Sequence, residues 1–203
     1  MAKSKKVGIL GGTFNPIHTG HLILAEHAYS EFDLDEILFI PTGVSYFKDP
    51  QIVADKKIRL DMTSAAIENN SHFALSTIET DRPGNSYTYE TLEILKNQNP
   101  NTEYYLIAGA DTLFQIDSWK NPDIIMKNAI LLVSVREGQS LDELKAQANK
   151  LIDKYSADIR ILECPYIDIS STAIRKRIAE GKSVKYMVAD STLEYIEKNG
   201  LYK

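Results

Sequence analysis

The chain has 203 residues, 43% hydrophobic and 25% charged, with a formal net charge of −5. That length predicts one domain, and the acidic balance argues against broad nucleic-acid binding, so an anionic ligand must meet a local positive site. One cysteine, Cys164, excludes an internal disulfide and fits a reducing compartment. The apolar run behind the basic start ends after four residues at Gly11-Gly12, too short for a signal peptide. No segment approaches the ~20 apolar residues of a membrane span, so a cytoplasmic chain without a membrane partner is expected.

In chain order, Val7 to Leu10 reads as a first strand. From Thr19, apolar residues at Leu22, Ala25, Tyr29 and Phe32 mark one face of a helix. Glu36 to Pro41 predicts a second strand, followed by a helix with Ile58, Met62, Ala65, Ala66 and Ile67 on its inner side. Phe73 to Ile78 is a third strand and Tyr89 to Lys96 is helical. Glu103 to Ala108, nearly continuous in apolar residues, predicts a fourth strand buried on both faces. Strands at Ala129 to Val135 and Ile159 to Glu163, with helices at Leu141 to Tyr155, Thr172 to Glu180 and Ser191 to Lys198, complete the pattern. Alternating strands and helices predict right-handed crossovers and a doubly wound parallel α/β sheet, here one domain over residues 1–203. Ligands of such sheets bind outside the carboxyl ends of the strands, near the point where strand order reverses.

Two strand ends carry unusual chemistry. After the first strand comes Gly-Gly-Thr-Phe-Asn-Pro-Ile-His-Thr-Gly-His, Gly11 to His21. Gly11 and Gly12 allow backbone to approach a ligand. Thr19 is suited to cap the next helix, whose free amides favour an anion. His18 and His21 fall near that helix start, where even a neutral imidazole offers one N–H donor. Neither a dinucleotide fingerprint nor a Walker A loop fits, and no nearby Cys or further His completes a metal site. After the sixth strand comes Asp168 to Ile178. There Ser170, Ser171 and Thr172 open a helix, Thr172 and Arg175 share a face, and Ile174 and Ile178 form a buried one. A hydroxyl-rich helix start with an arginine one turn in is a second phosphate site.

This pair of motifs resembles the nucleotidylyltransferase superfamily with its Thr/His-x-Gly-His signature. Further segments fall in order: Gly84 to Thr91 (Gly-Asn-Ser-Tyr-Thr-Tyr-Glu-Thr), Gly109-Ala110-Asp111, Trp119, Ile169 to Thr172, and Asn199 to Tyr202. Over nearly the whole chain the sequence is similar to the bacterial nicotinate-nucleotide adenylyltransferase family. The resemblance implies a Rossmann-like fold and transfer of an adenylyl group from ATP to nicotinate mononucleotide, giving deamido-NAD and pyrophosphate in NAD biosynthesis. It implies that His18, His21 and Arg175 are catalytic. Gly11, Gly12, Thr13, Phe14, both histidines, Ser170, Ser171, Thr172 and Arg175 would hold ATP phosphates, with Gly109 and Asp111 by the ribose. Asn15, Lys48, Thr88 and Trp119 would serve the mononucleotide: Lys48 its phosphate, Thr88 its carboxylate, Trp119 its pyridine ring. Many members have Pro-His-Lys where this chain has Tyr46-Phe47-Lys48, a departure at the lysine's neighbours.

The implied nucleophile is a phosphate monoester, largely dianionic at pH 7 because its second pKa is ~6. It needs no general base, which agrees with a sequence lacking any Ser-His-Asp or Cys-His arrangement. Mg²⁺ would be held by phosphate oxygens and water, so no protein metal ligand is expected. The expected partners are therefore the small molecules ATP and nicotinate mononucleotide. A homo-oligomer is left open. The alternatives are an acceptor such as nicotinamide mononucleotide or phosphopantetheine, or a nucleotide sensor without turnover.

Overall fold

The computed structural model describes residues 4–44, 53–135, 140–165 and 167–203. Its elements are β1 (Lys6–Gly12), α1 (Thr19–Glu31), β2 (Glu36–Pro41), α2 (Lys56–Ile67), β3 (Phe73–Leu75), α3 (Thr88–Gln98), β4 (Glu103–Gly109) and α4 (Ala110–Gln115). After a 3-10 turn (Ile116–Ser118) come α5 (Pro122–Asn128), β5 (Ile130–Ser134), α6 (Leu141–Tyr155), β6 (Ile159–Leu162), α7 (Ser171–Ala179) and α8 (Asp190–Lys198). The strands form a six-stranded sheet of order β3-β2-β1-β4-β5-β6. This is the doubly wound α/β fold that the alternation predicts, with the order reversing at β1 and β4. Among the described residues no helix is long and apolar enough to cross a membrane. The chain divides into two compact units.

The first unit comprises Met1–Leu10, Leu24–Ile37 and Tyr87–Tyr166. Here β1 pairs in parallel with β4, β4 with β5, and β5 with β6. Every residue of β5 is buried, and Tyr104 to Ile107 of β4 are buried as well. These strands are covered on both faces, which explains their unbroken apolar sequence. Helix α6 matches its predicted span. Ser140 caps it by accepting from Glu143 N at 3.3 Å, and Leu144, Ala148 and Leu151 form its buried stripe. Between β4 and β5 the chain makes α4, the 3-10 turn and α5, where the sequence reading placed no helix. Each is at most seven residues long, too short for a helical period to accumulate. Their apolar anchors Leu113, Ile116 and Ile125 are all buried.

The second unit comprises Gly11–Ile23, Leu38–Ser86 and Ile167–Lys203. Asp55 caps α2, accepting from Lys57 N at 2.8 Å. The buried face of α2 consists of Arg59, Met62, Thr63 and Ile67, whereas Ile58 is half-buried. Of the expected inner face, Met62 and Ile67 are buried and Ile58, Ala65 and Ala66 half-buried, with Arg59 and Thr63 added to it, and α8 lies against α2 through polar ties. Ser191 donates to Ala65 O (2.6 Å), Thr192 to Met62 O (3.3 Å) and Tyr195 to Asp61 Oδ2 (3.0 Å). Strand β3 is shorter than predicted. Beyond Leu75 the chain turns, with Ser76 Oγ accepting from Ile78 N and Thr77 O from Asp81 N. Helix α7 is seated by Ile174, Val184 and Val188, with Ile169, Ile178, Met187 and Leu193 packed around them.

Two glycines in these units answer differently to an added methyl group. A Cβ on Gly43 would collide with the Glu79 backbone oxygen, which cannot swing aside. On Gly8 it would meet Ile37 Cδ1 at 2.5 Å, the far end of a flexible side chain. Gly43→Ala should therefore destabilise the protein by about 3 kcal/mol and Gly8→Ala by roughly half that or less. Urea unfolding of both variants checks this, and equal losses would contradict it.

Candidate active site

The stretch Gly11–His21 lies in the second unit, and its conformation is set by three side chains from two helices, α2 and α7. Arg59 of α2 is buried and donates from Nη1 to Thr13 O (2.8 Å), from Nη2 to Gly43 O (2.9 Å) and from Nε to Ala54 O (3.0 Å). Burial lowers its pKa, against the opposing attraction of Asp55 and Tyr202. Arg175 of α7 donates from Nη1 to Asn15 O at 2.8 Å. Ser171 donates to Pro16 O at 2.8 Å. The carbonyls of Thr13, Asn15 and Pro16 are thus each held by a side chain, and the Asn15–Pro16 peptide is cis. Buried carbonyls need such partners, and here the partners also fix the loop.

Within the loop, a Cβ added to Gly11 would meet nothing within 4 Å, so its backbone borders open space. Gly12 leaves room for the Phe14 ring, which a Cβ would touch at 2.8 Å. Phe14 adopts φ 47°, is buried, and packs edge-on against His21 (centroids 5.0 Å) and against Phe39. Its side chain thus braces the His21 ring in a T-shaped contact.

His18 and His21 stack, with ring centroids 3.6 Å apart and planes 24° apart. The His18 backbone N–H donates to His21 Nδ1 at 3.2 Å. That acceptor role puts the proton of a neutral His21 ring on Nε2, leaving Nε2–H as a donor. His18 is 8% exposed, and its Nδ1 is buried without a hydrogen-bond partner. Burial pulls its pKa from 6.5 down to about 4, so His18 is neutral at physiological pH. A Cβ on Gly20 would lie 3.1 Å from His18 Nδ1, so the small residue makes space for that ring.

The expectation that Thr19 caps α1 is corrected. Thr19 is already helical, its hydroxyl donates to Tyr186 O at 3.0 Å, and its amide donates to Met187 O. The amides of His21 and Leu22 go to His18 O, so His18 is the residue at the helix boundary. At α7, Ser170 is the cap, accepting from Ala173 N at 3.2 Å. Thr172 Oγ1 accepts from Arg175 Nη2 at 3.3 Å. Arg175 is therefore engaged with the loop and with Thr172, with further N–H donors left on its guanidinium.

The remaining predicted residues, Lys48 excepted, belong to the first unit. Gly109 ends β4 and is the N-cap of α4, and Asp111 is exposed in the first turn of that helix. Thr88 opens α3, and Trp119, half-buried, ends the 3-10 turn. A residue that the sequence reading overlooked joins these last two segments. Lys120, next to Trp119, sits with Nζ 4.2 Å from the ring centroid of Tyr87, next to Thr88, and 5.7 Å from that of Tyr89. Such contacts contribute about 0.5–1 kcal/mol at exposed sites. Lys48 lies outside the described residues. Arg59 carries no expectation in the sequence, and Tyr202 figures there only in the closing Asn199-to-Tyr202 segment, without a site role. The signal for Arg59 was an arginine three and four residues before Met62 and Thr63, on the buried face of its helix.

Residues 9–177 match the sequence model of the cytidylyltransferase-like family. A Clostridium tetani protein named "Probable nicotinate-nucleotide adenylyltransferase" is 43% identical over 199 residues, covering 98% of this chain and 100% of that one. A protein of the same name from Lachnoclostridium phytofermentans is 39% identical over 198 residues, covering 98% and 99%. Among solved structures, the Plasmodium falciparum nicotinic acid mononucleotide adenylyltransferase complexed with NaAD superposes with a TM-score of 0.80 at 22% identity, covering 98% of this chain and 97% of that one.

The depressed pKa of His18 makes stability depend on pH. The unfolded chain takes up the proton near pH 6.5 and the folded one only near pH 4. Stability from this group is therefore intact above pH 6.5 and is lost progressively as pH falls toward 4. Between about pH 7 and 4 the wild type should lose about 3 kcal/mol more than His18→Gln. Urea unfolding across this range measures the difference, and parallel curves would show that His18 titrates alike in both states.

Identities of 39% and 43% over 98% of the chain settle the family: the chain belongs to the nicotinate-nucleotide adenylyltransferases.

Proposed function

We propose that the chain, acting as one nucleotidylyltransferase domain in the cytoplasm, transfers the adenylyl group of ATP to nicotinate mononucleotide by direct in-line attack. The observation that carries this reading is the hydrogen bond from the His18 amide to His21 Nδ1. With that atom occupied, His21 serves as an N–H donor to phosphate rather than as a base or nucleophile. A phosphate monoester needs neither, being largely dianionic at neutral pH with a second pKa of ~6. Catalysis then reduces to aligning the attacking oxygen with the α-phosphorus and stabilising charge that moves onto pyrophosphate.

In this reading the backbone of Gly11 to Phe14, His18 and His21 meet the triphosphate, together with Ser170, Ser171, Thr172 and Arg175. Gly109 and Asp111 serve the ribose. Asn15, Lys48, Thr88 and Trp119 serve the mononucleotide. Magnesium enters with ATP, held by phosphate oxygens and water. Among the described residues no group of three or more His, Cys, Asp or Glu side chains is placed to hold a metal ion. The side chains gathered at the loop are N–H and O–H donors, a set that suits a metal-bearing polyphosphate.

Pyrophosphate release from ATP and Mg²⁺, measured with nicotinate mononucleotide, nicotinamide mononucleotide and phosphopantetheine in turn, tests the reaction. The acid should be preferred over the amide by at least about tenfold in kcat/KM. A carboxylate accepts from every converging donor, whereas a carboxamide leaves an N–H unpaired at a cost of roughly 1–3 kcal/mol. Equal kcat/KM would point to dual specificity, and no turnover with any acceptor would favour a sensor.

His21→Ala should lower kcat on the order of 10²- to 10³-fold, as loss of a donor to developing charge does. The variant should keep a melting temperature close to wild type. A normal rate in a destabilised protein would mean that the imidazole merely packs.

A further inference from the structure

Tyr202 lies just beyond α8, where the chain reverses. Gly200 adopts φ 60° and its amide donates to Glu197 O, while Leu201 N donates to Ile196 O. Tyr202 itself has φ 64°, unusual for an aromatic residue. The reversal carries its ring inward, and its hydroxyl donates to Asn15 Oδ1 at 2.8 Å, with Met62 Sδ at 3.9 Å.

The same Asn15 oxygen accepts from Ala54 N at 3.3 Å. The Ala54 N–H can only donate, so it fixes this end of the carboxamide as the oxygen, and the Tyr202 hydroxyl beside that oxygen is therefore the donor. Asn15 is 3% exposed, so water offers little replacement. Its backbone oxygen is held separately by Arg175. We infer that Tyr202 is a positioning residue for the mononucleotide side of the reaction, acting through the Asn15 carboxamide. The inference rests on the reading that Asn15 serves the acceptor. A phenylalanine would fill the same volume, so the hydroxyl itself is what requires explanation. Burial raises the phenol's pKa despite the pull of Arg175 and Arg59, and it therefore stays protonated and donating throughout the neutral range.

The test uses the full chain with Tyr202→Phe, Asn15→Ala and the double variant, measuring KM for each substrate, kcat and melting temperature. Tyr202→Phe should raise KM for nicotinate mononucleotide about three- to tenfold, the size of one hydrogen bond, and leave KM for ATP within about twofold. In the Asn15→Ala background the same change should have no further effect. A lower melting temperature with both KM values at wild type would make Tyr202 a structural tie and overturn the inference, as would additive losses in the double variant. If Asn15→Ala raises the acceptor KM but Tyr202→Phe does not, Tyr202 fails while the assignment of Asn15 stands. An unchanged acceptor KM in Asn15→Ala would remove that assignment and the inference together.

Discussion

Arg59 binds three backbone carbonyls that come from three separate segments: Thr13 in the loop, Gly43 after β2 and Ala54 before α2. A guanidinium is suited to this because its donors leave a rigid plane in fixed directions. Those partners are neutral carbonyls, with Asp55 attracting it through space. Removing a buried charge from water is expensive unless its donors are satisfied, and here Nε, Nη1 and Nη2 each have an acceptor. Conversely, the carbonyls would be stranded without the arginine. Loop and brace therefore depend on each other, and the conformation of the second unit around Gly11–His21 follows from that dependence.

Against this frame the histidine pair has a clear division of labour. His18 is buried and neutral, lends its backbone N–H to His21, and offers its ring as a stacking platform. His21 is then oriented by that amide on one edge and by Phe14 from the side. Preorganised donors of this kind avoid reorganisation when charge develops, which is where electrostatic catalysis gains most. Arg175 and Ser171 illustrate the same economy from α7, since the groups that hold the loop carbonyls sit on the Ser-Ser-Thr-x-x-Arg segment proposed to meet phosphate.

Much of this was legible in the sequence because it is written in local patterns. β5 and α6 announce themselves by an apolar run and by a capped amphipathic period, and both are found within a residue of expectation. The two glycines and two histidines of the loop broke local rules conspicuously enough to mark a site. What stayed hidden is non-local. Nothing near Arg59 in sequence says that its partners are 46 and 16 residues away. Tyr202 belongs in sequence to the Asn199-to-Tyr202 segment, but only the turn at Gly200 shows that it reaches Asn15. Thr19 looked like a cap because Ser/Thr usually caps, yet the backbone of Tyr186 and Met187 took both its polar groups. Lys120 carries no motif of its own and matters only through Tyr87.

The separations in the loop's clasp have a kinetic meaning. Ser171 to Pro16, Arg175 to Asn15 and Tyr202 to Asn15 span 155, 160 and 187 positions. Closing loops of that size is entropically unfavourable until other contacts have formed, and long-range contacts slow folding. During synthesis Gly11–His21 and its brace Arg59 emerge well before Ser171, Arg175 and Tyr202, which arrive with the last helices. The Gly11–His21 loop is therefore among the last parts of the protein to reach its folded form. A nascent chain would hold the glycines and histidines of this loop without their full clasp until α7 and α8 had left the ribosome.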